Sequence, residues 1–138
     1  MDKKIFEYIN SNQVLTFSTS NDNQSYCALC FYVFDEANHT LIFLSDSDTR
    51  HIKEAMSNSK VSGTITNDEI SISKLRGIQF LGEFIAPGKL LTSEFYDKYY
   101  KRFPFARMKP SPIWGIKLSY IKMTDNTLGF GKKIIWQN

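Results

Sequence analysis

Leu41-Ile42-Phe43-Leu44-Ser45-Asp46-Ser47-Asp48-Thr49-Arg50-His51 joins an apolar run to a cluster of hydroxyl and carboxylate side chains. A short apolar run bounded by polar residues reads as a strand. Asp46-Ser47-Asp48-Thr49 is rich in residues that cap helix N-termini, so a helix follows. Its inner face takes Ile52, Ala55 and Met56, with Lys53 and Glu54 turned away, and Ser57-Asn58-Ser59 ends it. A strand end that runs straight into a helix start offers free backbone N–H groups and the positive end of the helix dipole, which favour an anion.

Toward the N-terminus, Ile5, Phe6 and Ile9 have helical spacing, which predicts a short helix over residues 3–10. Residues 14–19 read as strand, 20–24 as a polar turn, 25–34 as a long apolar strand and 35–39 as a second turn. With residues 41–45 they form a three-stranded antiparallel meander. Toward the C-terminus, residues 61–66 alternate cleanly and Asn67-Asp68-Glu69 turns the chain. Ile70, Ile72, Ile78, Phe80 and Phe84 continue the β pattern. The alternation slips between Ile72 and Ile78, which predicts a bulge or bend at Arg76-Gly77. Thr92 or Ser93 caps a further helix with Phe95, Tyr96, Tyr99, Tyr100 and Phe103 inward, and Pro104 stops it. Residues 113–123 return to strand, and Ile134-Ile135-Trp136 is a short apolar end. The expectation is a mainly β chain with inserted α: about six antiparallel strands closed on themselves, with short flanking helices after the third and fifth.

The length of 138 residues suits a single domain over 1–138, and 42% apolar with 22% charged residues is ordinary for a globular protein. Aromatics at 14% favour strands. A net charge of +3 permits an anionic small molecule but is too weak to argue for nucleic acid. No stretch approaches the ~18 apolar residues of a membrane span, and Met1 to Glu7 lacks the apolar run of a signal peptide. The expected location is cytoplasmic.

Thr49 adds a hydroxyl donor to the anion-ready helix start, and Arg50 adds a fork that grips phosphate oxygens. Asp46 and Asp48 oppose an anion unless they point away. The residues alone favour a plain capped helix with Arg50 in solvent over a phosphate site. They also favour surface roles for His51, otherwise a phosphate donor or a metal or haem ligand, and for His39, which sits in a turn. Gln79, out of phase with Ile78 and Phe80, faces solvent or a pocket, where its amide could meet a heterocycle edge. Trp114 and Trp136 read first as packing residues. Cys27 and Cys30 read as strand thiols on opposite faces, about 10 Å apart and beyond disulfide reach. The stretch from Thr124 through Gly129-Phe130-Gly131 to Lys133 reads as a glycine-assisted hairpin. No catalytic constellation or metal site can be picked out, so any redox chemistry has to come from a bound cofactor.

The ordered features resemble the pyridoxamine 5′-phosphate oxidase-like, FMN-binding split-barrel superfamily. The residues that carry the resemblance are the run from Leu41 through Thr49-Arg50-His51, Asn58-Ser59-Lys60-Val61, and Arg76-Gly77-Ile78-Gln79-Phe80-Leu81-Gly82. Cys27-Ala28, Cys30-Phe31-Tyr32, Trp114 and Lys122-Met123-Thr124-Asp125-Asn126 further resemble a short bacterial branch of it. The resemblance implies a split β-barrel, a homodimer and FMN at the subunit interface, with an oxidoreductase activity whose substrate and electron donor stay open. It implies that Thr49, Arg50 and His51 bind the FMN phosphate, that Ser45 lines the ring or ribityl chain, and that Gln79 lies near the cofactor. Trp114 would approach from the partner subunit, and Lys122 or Lys132 would supply missing positive charge.

This sequence departs from the superfamily's oxidases in three respects. Residues 26–34 hold no Lys or Arg, histidine replaces the second base of the phosphate triplet, and the substrate-binding C-terminal segment is not evident. Vitamin B6 oxidation is therefore not expected. A deazaflavin in place of FMN, a haem-binding or haem-degrading role through His51 or His39, and a noncatalytic dimeric binding module remain as alternatives.

Overall fold

From its N-terminus the chain forms α1 (Lys3–Ser11), β1 (Val14–Asn21), β2 (Gln24–Asp35), β3 (Thr40–Leu44), α2 (Arg50–Ser57), β4 (Lys60–Thr66), β5 (Arg76–Ile85), α3 (Lys89–Arg102), β6 (Ile113–Asp125) and β7 (Lys133–Gln137). The structure, a computed structural model, describes residues 1–69 and 71–138. Every strand pair is antiparallel, in the order β3-β2-β1-β4-β5-β6-β7, and β3 pairs again with β6. Six strands thus close the barrel that the sequence leads one to expect, with helices after the third and fifth. The apolar end at 134–136 adds β7 outside the ring.

Closure turns on β6. Its residues 113–117 pair with β3 and residues 120–124 with β7, while β5 runs along its other edge. Opposite β5 the register slips, because Leu81 pairs with Tyr120 but Gly82 pairs with Leu118, leaving Ser119 extra. Such a bulge bends and twists its strand, and here it falls where β6 changes partners. The bend expected at Arg76-Gly77 is therefore displaced to Ser119. The phase slip after Ile72 has another cause: Ile72–Lys74 is a 3₁₀ turn, with Ile72 exposed, and β5 starts only at Arg76. The strand reading of Ile70 lies outside the described residues.

Alternation sorts the side chains. Ile78, Phe80 and Phe84 of β5 point inward, and Gln79, Leu81 and Glu83 outward. The main core packs Leu15, Phe17, Tyr32, Phe43, Phe80 and Ile121 with Ile5, Tyr8 and Ile9 from α1 and Ile52 and Ala55 from α2. A second cluster lies under α3, where Phe95, Tyr99 and Phe103 cover Ile42 and Ile113. Tyr96 and Tyr100 are only partly buried there. α3 begins earlier than expected, with Gly88 as its N-cap, and the Thr92 hydroxyl donates to the Gly88 carbonyl inside the helix. α2 corrects the expectation at two positions, since Met56 is exposed and Glu54 is buried. The cysteine reading holds: Cys27 is exposed, Cys30 is buried, and burial pushes the Cys30 thiol up to about 12. Gly129 and Gly131, at φ 127° and 74°, form the expected hairpin between β6 and β7.

One glycine is required by packing. A Cβ on Gly63 would lie 2.2 Å from the Thr16 carbonyl oxygen and 2.3 Å from Phe80 Cζ, because the Phe80 ring lies over the bare backbone. Gly63→Ala is expected to cost about 1–3 kcal/mol, read from the urea midpoint. At Gly77 a Cβ meets nothing nearer than 3.6 Å, so Gly77→Ala is expected to stay within about 0.5 kcal/mol of the parent.

Candidate functional site

β3 ends at Leu44, and a turn over residues 45–49 delivers the chain into α2 at Arg50. The Thr49 hydroxyl donates to the Asp46 carbonyl at 2.9 Å and accepts from no helix N–H, so α2 starts without a side-chain cap. The first N–H groups of an α-helix have no partner within it, and Asp46 and Asp48 are exposed to solvent. The helix start therefore keeps its positive end.

His51 folds back beneath this turn. Its Nε2 lies 2.7 Å from Ser45 Oγ and 3.3 Å from Thr49 Oγ1, and its ring meets Phe17 edge-on at 5.5 Å. Burial lowers the His51 pKa below the ordinary value of histidine, which leaves the imidazole neutral at pH 7.

Arg50 is held from two sides. Its Nε donates to Glu54 Oε2 at 2.9 Å, and its guanidinium lies 4.2 Å from the centre of the Tyr26 ring. Its Nη groups have no protein partner among the described residues, and the side chain is 53% exposed. Glu54 is only 8% exposed, and the Thr19 hydroxyl donates to its Oε1 at 2.8 Å. The hydrogen bonds from Arg50 and Thr19 hold the Glu54 carboxyl below the usual glutamate range. Both carboxylate oxygens are bonded, which offsets the cost of removing the charge from water.

Trp114 completes the corner. Pairing of β3 with β6 sets it opposite Phe43, its indole N–H donates to the Ser45 carbonyl at 2.8 Å, and its ring packs on Phe84 at 5.4 Å. Ser45, Thr49, His51 and Trp114 are thus joined within one chain, while Arg50, next to Thr49 in sequence, directs its guanidinium to Glu54 and Tyr26. The resemblance brings Trp114 in from a partner; here its polar end is committed to its own Ser45.

Gln79 and Lys122 do not reach this corner. Thr16 of β1, Thr64 of β4, Gln79 of β5 and Lys122 of β6 are direct cross-strand partners in one row on the outer face of the sheet. The cleft that Gln79 and Lys122 line shares no residue with the corner. His39, at φ 49°, precedes the other end of β3 and packs against Trp136 at 4.8 Å. Glu54, Thr19, Tyr26 and Phe17 are absent from the sequence-based site. Only Glu54 carries a signal for it, since it stands four residues after Arg50, the spacing of facing helical side chains.

A six-stranded antiparallel barrel with a helix inserted after its third strand defines a protein of split-barrel fold. The solved structures agree on the fold. An FAD-binding protein of Mesorhizobium loti matches with TM-score 0.71 at 12% identity, over 89% of this chain and 94% of that one. A heme binding protein of Mycobacterium smegmatis matches with TM-score 0.78 at 11% identity, over 94% of this chain and 55% of that one. A candidate pyridoxamine 5′-phosphate oxidase of Listeria innocua matches with TM-score 0.69 at 16% identity, over 87% of this chain and 94% of that one. In sequence, the chain is 38% identical over 133 residues to a UPF0306 protein of Klebsiella pneumoniae, covering 96% of this chain and 90% of that one. It belongs to the UPF0306 family. No model of a known protein family matches it. Among the described residues, no helix is long and apolar enough to cross a membrane.

The depressed pKa of His51 has two consequences. The unfolded chain binds this proton more readily than the folded one, so the stability tied to neutral His51 is full above about pH 6.5 and is lost as pH falls toward the folded value. An anion at the helix start reverses the shift. The His51 Cε1–H resonance is expected to titrate below the usual histidine range in the free protein and to move upward with inorganic phosphate. An unchanged midpoint would place phosphate elsewhere.

Proposed function

We propose that this chain is a dimeric FMN-binding flavoprotein of oxidoreductase type, with the FMN phosphate seated at the start of α2. The observation that carries the reading is the uncapped helix start beside an arginine whose position is set by Glu54 and Tyr26 while its Nη groups stay unbonded. Helix N–H groups, the Arg50 fork and the hydroxyls of Ser45 and Thr49 are donors suited to a phosphate. Tyr26 and Trp114 supply aromatic surface for a ring system. FMN, when bound, supplies hydride and electron transfer; the chain positions it and sets its electrostatics.

The dimer reading rests on the outer sheet face. Val14, Leu29, Phe31, Leu81 and Ile135 are exposed there, Phe31 beside Phe103 at the end of α3. Apolar side chains gathered on one open face mark an association surface, and a second copy of this chain is its occupant in this reading. Gln79 and Lys122 stand on that face, so they reach the cofactor from the second copy. Haem is the weaker reading. His51 Nε2, the nitrogen an iron would need, is already bonded to the Ser45 and Thr49 hydroxyls.

Titration of the purified protein with FMN, followed by quenching of flavin fluorescence, is expected to saturate at one FMN per chain, and sedimentation is expected to show a dimer. Arg50→Ala is expected to weaken FMN by about 1.5–3 kcal/mol, roughly 10- to 150-fold, and to leave riboflavin, which lacks the phosphate, unchanged. Absence of saturable binding sinks the flavin reading. An Arg50→Ala protein with full FMN affinity removes the phosphate from this corner.

A further inference from the structure

Gly77, the second residue of β5, stands on the outer face between Thr66 of β4 and Thr124 of β6. Its backbone lies outside the positive-φ region that calls for glycine, and a Cβ there meets only the Thr66 side chain at 3.6 Å and atoms beyond it. Gly63, Gly82 and Gly115 differ, since a Cβ at each would come within 3.0 Å of a neighbouring atom. Neither conformation nor packing requires glycine at 77. The missing side chain leaves the floor of an open cleft of about 480 Å³.

The cleft has one sign of charge. Lys122 and Lys133 line it together with no carboxylate, and neither belongs to an ion pair among the described residues. Arg76 rests its guanidinium on the Tyr8 ring at 5.1 Å, so the two lysines are the mobile charges. Leu75 adds apolar wall, and Thr64, Thr124 and Gln79 add hydroxyl and amide groups. Unpaired like charges around a partly apolar floor draw in a counter-charge that carries an apolar body. A bare glycine backbone lets a flat group approach closely.

We propose that the Gly77 cleft binds a flat organic anion, its ring over Gly77 and its carboxylate or phosphate met by Lys122 and Lys133. The site is separate from the Arg50 corner, with which it shares no lining residue. On the flavin reading, Lys122 and Gln79 come to the partner's cofactor, which makes this anion the substrate class of that flavin. That role rests on the flavin reading; occupancy of the cleft does not.

The test uses the full ¹⁵N-labelled chain, free of flavin, titrated with 2-naphthoate, 2-naphthyl phosphate and uncharged 2-naphthamide. The two anions are expected to give saturable amide shifts at residues 64–66, 76–79, 122–124 and 133. Whichever binds tighter identifies the preferred head group. The amide is expected to bind at least ~10-fold more weakly, as is naphthoate to Lys122→Ala/Lys133→Ala. Gly77→Leu fills the floor and is expected to abolish binding; Gly77→Ala, which fits without a clash, is expected to weaken it measurably if the larger variant fails to fold.

Equal binding of naphthamide, full affinity in Gly77→Ala with its amide spectrum otherwise unchanged, or shifts centred on residues 45–51 would overturn the proposal. A parallel FMN titration keeps the two readings apart. FMN binding without naphthoate binding sinks the cleft alone, and naphthoate binding without FMN binding sinks the flavin reading alone.

Discussion

A strand has two edges, and β6 uses its two to serve three neighbours. Its pairing with β3 closes the ring, its pairing with β5 continues the sheet, and its upper half holds β7. One edge therefore changes partner partway along, and the extra residue Ser119 supplies the twist that the change needs. The Ser119 hydroxyl donates to the Leu81 carbonyl and its own carbonyl accepts from the Asn138 N–H, so the bulge is bonded on both sides. The candidate site inherits this geometry. Only because Ile113 and Trp114 pair with Leu44 and Phe43 does the indole reach the Ser45 carbonyl, and the Ser45 N–H in turn donates to the Pro112 carbonyl. The turn that launches α2 is thus anchored to the strand that closes the barrel.

Within that frame the charge balance of the corner is set by Glu54. A buried carboxylate beside the proposed anion site looks self-defeating, since it cancels the arginine that an anion would need. The bonding resolves this. Glu54 spends one oxygen on Thr19 and the other on Arg50 Nε, which orients the guanidinium and leaves its Nη atoms unbonded. Stacking on Tyr26 limits the same group from a second direction. The net charge of the corner falls while the geometry of its fork is sharpened, so on the proposed reading selectivity among anions would come from direction more than from field strength. A neutral His51 belongs to the same balance, since it bonds to hydroxyls instead of adding a second fixed cation.

The strands were readable because alternation is a local property. Phe17, Ile65 and Phe80 show their inward direction by the phase of their neighbours, and a cap cluster before Arg50 marks α2 without any knowledge of the sheet. What failed was whatever a distant partner decides. Glu54 looks outward on a helical wheel, and it is buried because Thr19, thirty-five residues earlier, meets it. Ser119 looks like any outward strand residue until the partner change gives it a function. Gly88 rather than Thr92 starts α3, because glycine leaves no side-chain signal and Thr92 spends its hydroxyl inside the helix. Most of the corner was legible for the opposite reason: Ser45, Thr49, Arg50 and His51 lie within seven consecutive positions, where one turn brings them together.

The two remaining members of the sequence-based site show what a single chain lacks. Strand residues alternate between faces, and Gln79 lies between two inward residues, so no adjustment of β5 could turn it toward the barrel interior without exposing Ile78 and Phe80. Lys122 is fixed in the same way between Ile121 and Met123. The Arg50 corner, in contrast, is reached from the end of β3. A small molecule that touches both the corner and this outer row must therefore lie between two copies, with each chain contributing its helix start to one molecule and its outer face to another. On the proposed dimer, the exposed apolar side chains beside the row are what a second copy covers, and the alternation that keeps the barrel core dry would also divide the binding groups between two chains.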